Sequence, residues 1–63
     1  MIRSIQRAFL CLEALSESQR SSMSIVEIAR VTDLDKATVS RIMKTLVELG
    51  YADYLSSQRA YRL

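Results

Sequence analysis

The sequence predicts a mainly α domain with a small β-hairpin, three helices followed by a wing, and three observations carry that prediction. Apolar residues recur at helical spacing in three separate segments. Capping and stop signals mark the ends of the second and third of these. Past the single glycine, Gly50, the spacing changes to short aromatic-containing runs with partial alternation.

In the first segment, residues 2–16, Ile2, Ile5, Ala8, Phe9, Leu12 and Leu15 recur three and four positions apart, a stripe expected to face the core. Residues 17–22 are polar and read as a connector. Ser24-Ile25-Val26-Glu27 matches a capping box, in which the serine hydroxyl accepts from the glutamate N–H and the glutamate carboxylate accepts from the serine N–H. The second helix is therefore expected over 24–31, with Ile25, Ile28 and Ala29 inward. Asp33 suits a left-handed terminator, because Asn and Asp tolerate positive φ better than other residues with a side chain. Asp35 is placed to cap a third helix over 36–49, and its charge is favourable beside a helix N-terminus. That helix carries Val39, Ile42, Met43 and Leu46 on one face, and Gly50 stands just past its end, where a left-handed residue is wanted. Runs at 51–55 and 60–63 then read as a hairpin with 56–59 at its tip. The core is expected to centre on Ile28, Val39, Ile42 and Leu46, with Leu12 beneath, and residues 1–63 form one domain.

Composition narrows the function. A domain of 63 residues buries only about 60% of the surface of its unfolded chain, so stability is marginal. One cysteine and no histidine leave neither a disulfide nor a ligand set for zinc, and they remove the commonest acid-base catalyst and the partner that activates a thiol. With one glycine there is no phosphate-cradling loop. The expectation is no enzyme, no metal and no cofactor. No apolar run approaches the roughly 20 residues that cross a membrane, and the chain reads as cytoplasmic, with no membrane partner. A net charge of +2 fits nucleic acid, and its placement says more than its size.

A short helix, a tight turn and a longer helix form a helix-turn-helix, whose second helix enters the major groove; the trailing hairpin makes it winged. With Val39 at the centre of the buried stripe, the opposite face of the third helix collects Ala37, Thr38, Ser40, Arg41, Lys44 and Thr45. Small, polar and cationic residues suit base edges: Arg donates twice to guanine, and Ala or a Thr methyl touches the thymine methyl. Only Glu48 opposes them, near the helix end. Arg59 and Arg62 on the wing are candidates for the phosphate backbone or a minor groove, and Lys44 for the phosphate backbone.

Residues 4–15 (Ser-Ile-Gln-Arg-Ala-Phe-Leu-Cys-Leu-Glu-Ala-Leu), 24–29 (Ser-Ile-Val-Glu-Ile-Ala), 36–46 (Lys-Ala-Thr-Val-Ser-Arg-Ile-Met-Lys-Thr-Leu), Leu49-Gly50-Tyr51 and Tyr61-Arg62-Leu63 resemble the IclR family of bacterial regulators, in register along nearly the whole chain. The resemblance implies a DNA-binding domain that would be followed by an effector-binding domain, so that a small-molecule effector acts only through that missing C-terminal part. It implies base reading by Lys36, Ala37, Thr38, Ser40, Arg41 and Thr45 and a phosphate contact from Ser24. The chain departs from the family pattern at Asp33, where glycine is common, and at 56–59, where glycine or proline is usual. Family members also dimerise through the first helix. Here Leu10 and Ala14, with Cys11 beside them, form a second apolar strip away from the Ile5, Phe9 and Leu12 stripe and are the candidate interface; the alternative is that Leu10 covers the base of the wing. The expected function is sequence-specific binding of a double-stranded DNA operator as a homodimer at the bacterial nucleoid. The alternative is a protein-interaction module whose third helix docks an acidic partner.

Overall fold

The computed structural model describes residues 2–18 and 21–63; Met1, Gln19 and Arg20 lie outside the described residues, and with them part of the connector expected over 17–22. Three helices, α1 (Arg3–Glu17), α2 (Ile25–Thr32) and α3 (Lys36–Glu48), precede two strands, β1 (Asp53–Leu55) and β2 (Ala60–Arg62). This is a winged helix-turn-helix, mainly helical, with element ends within about two residues of those expected, the usual uncertainty of a fraying terminus.

Local chemistry sets these boundaries. Ser24 Oγ accepts from Glu27 N–H at 3.2 Å while Glu27 Oε1 accepts from Ser24 N–H at 3.0 Å, which satisfies two orphan donors of α2. Asp33 closes α2 in the left-handed region at φ 60° and ψ 30°. Asp35 caps α3 two residues later. At the far end of α3, Tyr51 N–H donates to Leu46 O at 2.9 Å and Gly50 N–H to Val47 O at 3.1 Å, the paired bonds of a Schellman motif around Gly50 at φ +86°. A Cβ added at Gly50 meets nothing within 4 Å, so only backbone strain opposes a side chain there. Gly50→Ala should cost about 1 kcal/mol, a fall in Tm of about 4–8 °C. A thermal melt identical to the parent's would contradict that account of the turn.

The strands pair antiparallel, with Asp53 opposite Arg62, Tyr54 opposite Tyr61 and Leu55 opposite Ala60. The Tyr54 and Tyr61 rings pack in a tilted arrangement, with centroids 4.9 Å apart and planes at 50°. Met23, just before α2, joins this ribbon through two bonds: Met23 N–H donates to Tyr61 O at 2.8 Å and Tyr61 N–H donates to Met23 O at 2.7 Å. The hairpin is thereby held against the helices rather than standing alone, which two short strands do poorly.

The core gathers Cys11, Ala14 and Leu15 from α1, Ile28 and Ala29 from α2, and Val39, Met43 and Leu46 from α3, closed by Met23, Ala52 and Tyr61. Two expectations are corrected. On α1, Ile2, Ile5 and Phe9 are exposed, and Leu12 is only half-buried. The helix is turned by about 100°, one residue step, so that Cys11, Ala14 and Leu15 face inward. Its apolar residues wrap more than half its circumference, and the part that packs into the core is Cys11, Ala14 and Leu15. On α3, Met43 is fully buried and Ile42 only half-buried, so the centre is Ile28, Val39, Met43 and Leu46. Among the described residues, no helix is long and apolar enough to cross a membrane.

Candidate nucleic-acid interface

The turn between α2 and α3 is built to fix the first residues of α3. Asp35 Oδ2 accepts from Thr38 N–H at 3.0 Å and Oδ1 from Thr38 Oγ1–H at 2.6 Å. These two bonds from Thr38, aided by the Arg41 charge, hold the Asp35 carboxyl below its ordinary range. A depressed folded pKa stabilises the fold at pH values above the ordinary carboxylate range, and the contribution is lost as pH falls through the folded value. Acid unfolding of Asp35→Ser, which keeps a capping oxygen without the charge, should therefore be less steep below the carboxylate range than the parent's.

This pairing engages one expected base reader. Thr38 is buried, and its hydroxyl proton is committed to Asp35. Thr38 therefore belongs to the cap, not to the outer face. Lys36, Ala37, Arg41, Lys44 and Thr45 are exposed, and Ser40 is half-buried at the margin. Thr45 Oγ1 donates to Arg41 O at 3.1 Å, which leaves the threonine outward as an acceptor and a methyl. Glu48 is the one carboxylate within α3, in its last position.

The phosphate candidates are spread around this face. Ser24 is half-buried at the start of α2, and its oxygen accepts from Glu27. Arg59 is exposed at the wing tip, at φ +50°. Arg62 faces Asp53 across the strands at 3.9 Å, both well exposed, a pair worth about 0–1 kcal/mol that nonetheless offsets part of its charge.

The expected dimer strip does not exist as a surface. Cys11 and Ala14 are buried, and burial pushes the Cys11 thiol up, away from the reactive thiolate. Leu10 is half-buried in a shallow groove with Glu13, Val31 and Thr32. The exposed apolar surface lies elsewhere, where Ile5 and Phe9 of α1 meet Leu49 and Tyr51 beyond α3 around a groove of about 380 Å³. Periodicity hid this surface by assigning Ile5 and Phe9 to the core. The hydrogen bond from Ser22 Oγ to Gln58 Oε1, at 2.8 Å, was also missed, since nothing in either residue's neighbourhood predicts a partner so distant in sequence.

Comparison with known proteins agrees with this fold. The family model described as the IclR helix-turn-helix domain matches residues 4–56. The HTH-type transcriptional regulator XynR of Escherichia coli (strain K12) is 33% identical over 63 residues, all of this chain and 25% of that protein. The chain thus spans about a quarter of the length of this relative.

Proposed function

Because the chain belongs to the IclR helix-turn-helix family, whose domains bind DNA for transcription regulators and are not enzymes, we propose that it reads one double-stranded DNA operator as a homodimer. In this reading α3 lies in the major groove with Lys36, Ala37, Ser40, Arg41 and Thr45 toward base edges. Lys44, Arg59, Arg62 and the hydroxyl proton of Ser24 meet phosphates on either side. The observation that carries the reading is the outer face of α3, exposed, cationic and small-chained, with its single carboxylate at the last position. Dimerisation is assigned to the apolar face of Ile5, Phe9, Leu49 and Tyr51 instead of the Leu10 strip, because apolar side chains this exposed and this close together gain from a partner. Control by a small-molecule effector belongs to a further domain of the intact regulator, acting in the cytoplasm at the nucleoid.

Enrichment of bound duplexes from a random pool tests the proposal. A two-fold symmetric motif should emerge, and the logarithm of affinity for it and for random duplex should both fall linearly with the logarithm of salt. Enrichment of no motif, with binding indifferent to salt, would overturn the reading and favour an acidic protein as the partner of α3.

A further inference from the structure

We propose that the hydrogen bond between Ser22 and Gln58 is a clasp that positions the wing tip, and with it Arg59, against a DNA phosphate at a set distance from α3. The inference rests on the DNA-binding reading and adds to it two positioning residues, Ser22 and Gln58, that act through Arg59.

The wing tip is short of internal support. Its backbone is closed by Gln58 N–H to Leu55 O at 3.0 Å and by the longer Arg59 N–H to Ser56 O at 3.4 Å, and residues 56–59 are all exposed. The Met23–Tyr61 bonds hold the strands against the helices, but within residues 56–59 these two turn bonds act only inside the tip. The clasp ties the tip itself at one point, since Ser22 Oγ donates to Gln58 Oε1 across 36 positions of sequence. Its other side is firmly held, because Met23 is bonded twice to Tyr61 and Ser24 is the capping residue of α2. From α2 the path to α3 runs through Asp33 and the Asp35–Thr38 cap, so the tip is referred to α3 through a chain of fixed links.

Beside Gln58 stands the tip's one left-handed residue, Arg59 at φ +50°. Glycine adopts that conformation without strain, whereas an arginine there is tolerated against its preference. Strain of this kind persists where surrounding structure enforces it and the side chain is wanted. A long cation next to the clasped residue is suited to a phosphate, and a set origin for the side chain lowers the ordering cost of that contact.

The test uses the 63-residue chain and a mixed-sequence duplex, titrated at several salt concentrations, with thermal melts alongside. Arg59→Ala should reduce the slope of log affinity against log salt by about 0.9, one phosphate contact. Gln58→Ala and Ser22→Ala should each weaken binding and lower the slope while melting close to the parent, and Ser22→Thr, which keeps the hydroxyl, should restore binding. Gln58→Ala should add no further loss to Arg59→Ala, because a clasp acts only through the residue it positions. Arg59→Gly should melt higher than the parent yet bind more weakly. Parent-like binding by Gln58→Ala, or a loss that adds fully to that of Arg59→Ala, would overturn the clasp alone. Parent-like binding by Arg59→Ala would overturn the wing contact itself, and the clasp with it.

Discussion

Ile28→Ala should leave much of the protein unfolded at room temperature. Ile28 is fully buried and lies in the cluster that joins Cys11, Ala14 and Leu15 to Val39, Met43 and Leu46. Removing three buried carbons costs about 2–5 kcal/mol, transfer and cavity together. The entire stability of a chain of 63 residues is of order 3–9 kcal/mol at 0.05–0.15 kcal/mol per residue, so the loss is comparable to the whole. Denaturant unfolding followed by circular dichroism measures it. The same truncation at half-buried Ile42 should cost distinctly less, about half or below, because fewer of its atoms leave water on folding. Equal losses at the two positions would mean that α3 is rotated from where Met43 now occupies the centre.

Under the proposed dimerisation through the face of Ile5, Phe9, Leu49 and Tyr51, Phe9→Glu should give a monomer without unfolding it. Phe9 is 59% exposed, and Leu49 and Tyr51, each 64% exposed, stand beside it, so a charge there leaves the core intact and opposes only a partner copy. On a duplex with two half-sites the variant should lose about 10²–10⁴-fold in affinity, the effective-concentration gain of a linked second binding event. Sedimentation should report the monomer directly. Leu10→Glu, on a different side of α1, should stay dimeric. A Phe9→Glu protein that sediments as the parent does would remove this surface from the assembly.

The parts of the fold legible in the sequence were those set by neighbours in the chain. Ser24 with Glu27, Asp33, Asp35 and Gly50 each specify a cap or a turn through bonds spanning a few residues, and each stands where those signals placed it. The facing of α1 was not legible. Its apolar residues occupy so wide an arc that helical spacing cannot select the inward part, and the choice falls to packing against the core cluster, where Cys11, Ala14 and Leu15 are buried. Thr38 was misread for a related reason: its place in α3 matches the outer face, but its hydroxyl has a nearer partner in Asp35. The remaining outer residues, Lys36, Ala37, Arg41, Lys44 and Thr45, were readable because no cap or core contact competes for them. The ties from Met23 to Tyr61 and from Ser22 to Gln58 join segments far apart in the chain, and periodicity contains no trace of them.

The central claim is that the outer face of α3 reads base sequence, and titration of Arg41→Ala against the parent, on the enriched operator and on a random duplex, tests it most directly. Arg41 is exposed in the middle of that face, where a guanidinium can take both acceptors of a guanine. The account predicts a loss of about 1–3 kcal/mol on the operator and far less on random DNA, with selectivity relaxed at one or two base pairs. Equal losses on both duplexes would make Arg41 a phosphate contact and contradict base reading by this face.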